Sequence, residues 1–229
     1  LRSKNKEIFW MNKTIMALPK GRILNELTPL LKKAGIEPEE EFFQTSSRKL
    51  LFNTNQKKLS IIKVRSFDVA TFVALGAAQI GVAGDDVINE FSYEEIYNFF
   101  DLKIGRCRLS VAKKKEKKLL ENEGHIVVAT KYKNITTNYF AKKGVRAECI
   151  KLNGAVELAP KLKICSTIVD LVSTGKTLSE NNLVESSLVM QVTSKLIINK
   201  IAYKLMNDDI TKILNKFKKA LNGKNFIRK

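Results

Sequence analysis

Histidine is almost missing from this sequence. His125 is the only one in 229 residues, and it stands just ahead of the apolar run Ile126-Val127-Val128-Ala129. A lone residue at a strand edge reads as structural, so Ser-His-Asp, Cys-His and His-metal chemistry lose their usual base or ligand. Cysteine is nearly as scarce. Cys107, Cys149 and Cys165 are odd in number and form no C-x-x-C pair, which indicates neither a disulfide framework nor a zinc site. Their surroundings are apolar and strand-like, where a buried thiol behaves as a small hydrophobe. No apolar run approaches the roughly 20 residues that span a bilayer, so no membrane is expected as a partner. The first ten residues, LRSKNKEIFW, lack the apolar centre of a secretory signal. Met11 reads as the natural start and 1–10 as an N-terminal extension outside the fold. The expected location is the cytoplasm.

Linkers rich in Ser, Gly or Pro are absent, as are internal repeats. Acids are in short supply: Lys plus Arg is 41 against 23 for Asp plus Glu, a formal net charge of +18. That sign suits a phosphate-rich partner, and nucleic acid is the usual first thought. Most of the excess is lysine, in runs such as Lys113-Lys114-Lys115-Glu116-Lys117-Lys118. A solvated surface accounts for that pattern, and no nucleic-acid-binding module accompanies it. Nucleic acid is therefore not expected as a partner.

What is present is alternation. Lys13–Leu18 reads as a strand stopped by Pro19-Lys20-Gly21, and a helical pattern follows with Ile23, Leu24, Leu27, Leu30, Leu31 and Ala34 on one face. Gly35 supplies its stop, and Pro29 predicts a kink or restart near Thr28. Arg48–Phe52 and Leu59–Val64 are strand candidates, and Ser66 is positioned to cap a short helix. Gln79–Ala83 is a small-residue strand closed by Gly84, and Asp85 and Asp86 suit the start of the next helix. Beyond Phe100, strands are expected at Arg108–Ala112, His125–Ala129, Ala147–Leu152 and Thr167–Val172, with helices or loops around 136–143 and 156–162. Asp208–Leu221 is an amphipathic helix ended by Gly223. Such alternation implies an α/β protein with a largely parallel sheet.

The chemistry concentrates in Thr167–Leu178. A buried apolar strand carries one acid, Asp170, and runs into Ser173-Thr174-Gly175-Lys176-Thr177. Backbone amides and hydroxyls in such a turn supply the converging donors that a phosphate monoester needs. Gly175 allows close backbone approach, and Asp170 at the strand end would accept hydrogen bonds from sugar hydroxyls. Gly175-Lys176-Thr177 is similar to the end of a Walker A loop, but Asp170 occupies the place of its first glycine, which rules that motif out.

An acid ahead of a T-G-x-T turn instead resembles the ribose-phosphate grip of enzymes that use phosphoribosyl pyrophosphate. Ala17-Leu18-Pro19-Lys20-Gly21-Arg22-Ile23-Leu24 resembles the opening of the ATP phosphoribosyltransferase family. So do Ser47-Arg48-Lys49-Leu50, Arg65 with Asp68-Val69, Gly76-Ala77-Ala78 to Gly84-Asp85-Asp86, Val128–Tyr132 and Lys151–Pro160. The resemblance runs in order through residues 13–222. It departs at Ala70, where the family often has Pro, and at Asp85 beside Asp86.

The resemblance implies transfer of phosphoribosyl from phosphoribosyl pyrophosphate to N1 of the adenine of ATP, with release of pyrophosphate, the first step of histidine biosynthesis. It implies a two-lobe fold like type II periplasmic binding proteins, with the active site in the cleft between lobes. Residues 11–103 and 186–229 would form the first lobe and 104–185 the second. Glu157, Asp170, Ser173, Thr174, Gly175, Lys176 and Thr177 would hold phosphoribosyl pyrophosphate. Lys20, Gly21, Arg22 and Arg48 would handle ATP and the departing pyrophosphate, with Arg22 and Arg48 in the catalytic role. Mg²⁺ would arrive on the substrate, with no ligands from protein side chains. Longer relatives carry a C-terminal regulatory domain. This chain resembles the short form, implying a homo-oligomer that works with a partner similar to histidyl-tRNA synthetase. The rival reading is a non-catalytic solute-binding or regulatory module on the same two-lobe fold.

Overall fold

The computed structural model describes residues 13–44, 46–115 and 124–222. The expectations for residues 1–12, for Glu116-Lys117-Lys118 and for the Gly223 stop lie outside that range. The chain divides into two compact units, Leu1–Val87 with Tyr93–Gly105 and Ser194–Lys229, and Ile88–Ser92 with Arg106–Thr193.

Six strands of the first unit, numbered along the chain, form one sheet: β1 (Thr14–Pro19), β2 (Leu51–Asn53), β3 (Leu59–Val64), β4 (Ile80–Gly84), β5 (Ile96–Asp101) and β11 (Ser194–Asn199). Their order is β2-β3-β1-β4-β11-β5. β1 runs parallel to β3 and β4, while β2, β11 and β5 enter antiparallel. β1, α1 (Arg22–Lys33) and α8 (Asn207–Asn222) supply Met16, Leu18, Leu27, Leu31, Ile210 and Phe217 to one core. Each such side chain contributes about 1.5–3 kcal/mol on burial. Helix α2 (Ser66–Ala74) buries Val69 and Val73, which would meet any β-carbon added at Gly81 at 2.9 and 2.7 Å. That close approach explains the small-residue strand β4.

In the second unit the order is β10-β6-β9-β7-β8, built from β6 (Cys107–Lys114), β7 (His125–Thr130), β8 (Arg146–Lys151), β9 (Thr167–Val172) and β10 (Leu183–Val192). β7 is parallel to β8 and β9, whereas β6 is antiparallel to both β9 and β10. The helices are α4 (Lys133–Ala141), α5 (Leu158–Lys161) and α6 (Lys176–Glu180). Two others are α3 (Asp85–Phe91), where the chain first passes between the units, and α7 (Lys200–Leu205), which follows β11.

Several expectations change here. Both sheets are mixed rather than largely parallel, because β5, β10 and β11 were not legible as strands and all enter antiparallel. The crossing expected after residue 185 falls inside β10, whose register with β6 runs from Leu183 to Val192. Pro29 neither ends nor restarts α1, which runs unbroken through Lys33. Pro29 withholds the amide that Asn25 would receive, and Asn25 is exposed, so water can serve its carbonyl. Ser66 makes no capping bond; Arg65, in extended backbone, is the cap residue of α2. Arg48 lies outside any strand; β2 begins only at Leu51. His125 is exposed and lies 3.5 Å from Glu148.

Candidate active site

In parallel α/β sheets, ligands meet the protein at the carboxyl ends of the strands. In the second unit, three parallel strands deliver the expected residues there. β7 ends at Thr130 and leads into Lys131. β8 leads to Asn153-Gly154-Ala155 and to Glu157 at the head of α5. β9 carries Asp170 and continues as Ser173–Thr177. Thr130 ties two of these ends together: its buried hydroxyl donates to the Val169 carbonyl at 2.8 Å and accepts the Tyr132 amide at 3.0 Å.

Asp170 accepts the Leu171 amide at 2.8 Å. Burial pushes its carboxyl up from 3.8 to about 6; the Leu171 amide opposes the shift, Glu157 adds to it and Lys131 opposes it. The folded state holds this proton more tightly than the unfolded chain does, so raising the pH from about 4 to about 6 costs stability. At neutral pH the whole penalty, roughly 3 kcal/mol, is present. Asp170→Asn is therefore expected to raise the melting temperature by several degrees at pH 7.5. The gain should fade below about pH 4, where both states carry a neutral acid. Thermal melts of both proteins across that range test this, and equal melting temperatures throughout would refute a strained carboxylate.

Side chains engage three carbonyls of the loop after β9 and of the helix it opens. The Ser173 carbonyl accepts from Arg108 Nη1 at 3.2 Å, that of Lys176 from the Ser179 hydroxyl at 2.8 Å, and that of Thr177 from Asn181 Nδ2 at 2.9 Å. The Thr174 hydroxyl accepts weakly from the Lys176 amide at 3.4 Å. Among the described residues, no acceptor meets the amides of Thr174, Gly175 and Thr177, and the Thr177 hydroxyl makes no bond. Gly175 turns the chain with φ 82° and ψ −1°, left-handed backbone that a side chain would strain. Unspent amides in such a turn form an anion-binding concavity.

The first unit gathers cations at one end of its sheet. β1 and β3 are parallel, so Lys20-Gly21-Arg22 after β1 and Arg65 after β3 lie at the same end, where the Lys20 amide donates to the Val64 carbonyl at 2.9 Å. β2 is antiparallel to β3, which brings Arg48, just ahead of β2, to that end too. Arg48 is exposed, and no ion pair or side-chain hydrogen bond among the described residues engages it. Its neighbour Lys49 is committed to Glu39 at 2.7 Å and Glu41 at 3.2 Å. Lys63 braces the segment from below. It donates to the Phe42 carbonyl, and its amine lies 4.8 and 5.1 Å from the ring centres of Phe42 and Phe52. Those rings pack edge to face at 5.2 Å, worth about 0.5–1.5 kcal/mol beyond their burial. Burial and then Lys20 push the Lys63 ammonium below its usual range. Arg22 opens α1 and approaches Glu26 at 3.9 Å. Gly21 takes φ 85° and ψ −147°, a region almost confined to glycine.

The structure thus brings Glu157, Asp170 and Ser173–Thr177 together in one unit, and Lys20, Gly21, Arg22 and Arg48 together in the other. Sequence reasoning did not single out Lys63, Lys131 or Arg108 as parts of these sites. Lys131 carried a signal in its place directly after a strand. Lys63 and Arg108 lie inside strands, where nothing local marks them.

A family model described as HisG: ATP phosphoribosyltransferase matches residues 65–219. An ATP phosphoribosyltransferase of Rhodospirillum rubrum is 53% identical over 215 residues, covering 93% of this chain and 95% of that protein. The ATP phosphoribosyl transferase (HisG:HisZ) complex from Thermotoga maritima contains a chain that superposes with a TM-score of 0.79 at 30% identity, over 92% of this chain and 99% of that one. The periplasmic VFT2 domain of Bordetella pertussis BvgS shares the fold alone, with a TM-score of 0.56 and 11% identity over 94% and 91%. A family model over residues 65–219 and 53% identity sustained along nearly the whole chain, on a fold that sets a loop of unpartnered amides beside a partly buried acid, place this protein in the ATP phosphoribosyltransferase family.

Proposed function

We infer that this chain transfers the phosphoribosyl group of phosphoribosyl pyrophosphate to N1 of the adenine of ATP and releases pyrophosphate, opening histidine biosynthesis. The carrying observation is the loop Ser173–Thr177, where the amides of Thr174, Gly175 and Thr177 and the Thr177 hydroxyl meet no partner among the described residues while Asp170 stands beside them. The 5′-phosphate takes those donors. Asp170 accepts from the ribose hydroxyls, with Glu157 close enough to act on its charge. N1 of adenine already bears a lone pair, so the forming C–N bond needs no strong base, which suits a chain with one exposed histidine. The breaking C–O bond leaves positive charge on the ribose and negative charge on pyrophosphate. Arg22 and Arg48, with Lys20 and the Gly21 backbone, are assigned to the leaving oxygens and the ATP phosphates, where preorganised cations lower the barrier most.

Among the described residues no three His, Cys, Asp or Glu side chains gather as a metal site. Mg²⁺ is assigned to the substrate's own phosphate oxygens on the family resemblance, where its charge would assist departure of pyrophosphate. The Thermotoga maritima HisG:HisZ complex supports a HisZ-type regulatory partner; assembly of several copies of this chain with it is assigned on the family resemblance alone. No helix among the described residues is long and apolar enough to cross a membrane, in keeping with work in the cytoplasm beside its soluble substrates. The solute-binding alternative rests on fold likeness alone. Incubation with ATP, phosphoribosyl pyrophosphate and Mg²⁺, with a cognate partner present, should yield phosphoribosyl-ATP and pyrophosphate. Absence of product above background rejects the reading.

A further inference from the structure

We propose that Arg108 is a positioning residue for the phosphoribosyl loop, held in place by Glu185 and acting through the Ser173 carbonyl. The proposal rests on the reading of Ser173–Thr177 as the grip for phosphoribosyl pyrophosphate. Arg108 lies on β6, directly across from Val172, the last residue of β9 before the loop, and Ser110 lies across from Asp170. Residues opposite each other and two apart share one face of a sheet, so Arg108 and Ser110 stand beside the strand that ends in the site.

Glu185 fixes this pair from the other side. It belongs to β10, where a register shift between Glu185 and Ser187 breaks the regular pairing with β6. One carboxylate oxygen accepts Arg108 Nε at 2.7 Å and the Ser110 hydroxyl at 2.7 Å, and the other accepts Arg108 Nη2 at 2.6 Å. The two-pronged grip occupies one edge of the guanidinium and leaves Nη1 directed to the Ser173 carbonyl at 3.2 Å. Glu185 is held below the usual carboxylate range, first by Arg108 and also by Ser110, so it stays ionised wherever the enzyme would work.

The consequence for the loop is geometric. A trans peptide is planar, with its C=O and N–H pointing in opposite directions. Fixing the Ser173 carbonyl toward Arg108 turns the Thr174 amide the other way, and that amide meets no acceptor among the described residues. Arg108 therefore spends a bond on a carbonyl so that an amide stays aimed at the ligand. It touches no substrate itself. A preorganised donor saves the ordering that binding would otherwise require.

The test is a split of kinetic constants in the intact protein with its partner. Arg108→Met should raise KM for phosphoribosyl pyrophosphate about three- to tenfold, the value of one charge-assisted bond that is partly open to solvent. KM for ATP should stay within about twofold. Arg108→Lys, which keeps the charge and loses the fork, should fall between wild type and Met. Glu185→Gln keeps its volume, so it should fold where Arg108→Met does not, and should shift the same constant in the same direction. Wild-type KM values in all three variants, or equal rises for both substrates, overturn the proposal while leaving the reaction in place. A wild-type protein with no transferase activity removes the reading of the loop, and this proposal with it.

Discussion

Replacing Arg48 by Leu is expected to lower kcat by about 10²–10³ while neither KM changes more than a few-fold. Negative charge grows on pyrophosphate as its bond to ribose breaks, so a cation placed there holds the transition state more tightly than the substrate. Arg48 suits the test because it has no side-chain bond among the described residues to lose, so its removal should spare the fold. Lys49 cannot easily stand in for it, being engaged by both Glu39 and Glu41. Arg22→Leu should act in the same sense, with some loss at the head of α1 where it approaches Glu26. Arg48→Lys keeps the charge without the planar fork and should recover only part of the rate. Steady-state kinetics in both substrates, with circular dichroism as the control for folding, decide the matter. A rise in KM with kcat unchanged would confine these arginines to ground-state binding, and wild-type kcat in both Leu variants would rule out this placement of the catalytic charge.

Thr177→Ala should weaken the response to phosphoribosyl pyrophosphate by roughly tenfold to a hundredfold. A hydroxyl bonded to a charged phosphate contributes about 1.5–3 kcal/mol, and 1.4 kcal/mol is a factor of ten. The structure sharpens the test, because the Thr177 hydroxyl makes no bond within the described protein and only its carbonyl is engaged, by Asn181. The substitution leaves no internal donor or acceptor stranded, so a change in stability is not expected. KM for ATP should move little. Equal losses for both substrates, or none, would make the loop structural. Thr174→Ala is a less clean experiment, since its hydroxyl also accepts the Lys176 amide.

Strands with plain periodicity were legible from their residues. β3 and β9 begin and end where the apolar pattern placed them, because each is bounded by polar or loop-forming residues. β10 was hidden by its own geometry: register shifts at Glu185/Ser187 and at Leu188/Met190 break the two-residue alternation on which a strand reading depends. β5 is an edge strand with a similar irregularity opposite Leu196 and Ile197, and most of its side chains are exposed. The turn Ser173–Thr177 could be singled out because its residues are consecutive. The network that steadies it could not, since Arg108 and Glu185 are 77 positions apart and meet only through the pairing of β6 with an unseen strand. The same holds for Lys63, whose place beneath Phe42 and Phe52 follows from where β2 and β3 pair.

The position of β11 sets an order of events during synthesis. Ser194–Asn199 is an interior strand, pairing with β4 on one side and β5 on the other. Until the ribosome delivers it, β4 lacks one neighbour and β5 lacks its only partner in the sheet. Residues Arg106–Thr193, by contrast, contain every strand of their own sheet and have all emerged by then. The later-encoded unit can thus complete its sheet first, while the unit at the amino terminus waits for nearly the whole chain. Its closure spans long sequence separations, the kind of pairing that slows folding. A nascent chain stalled before Ser194 would expose the apolar edge of β4, a natural substrate for chaperones.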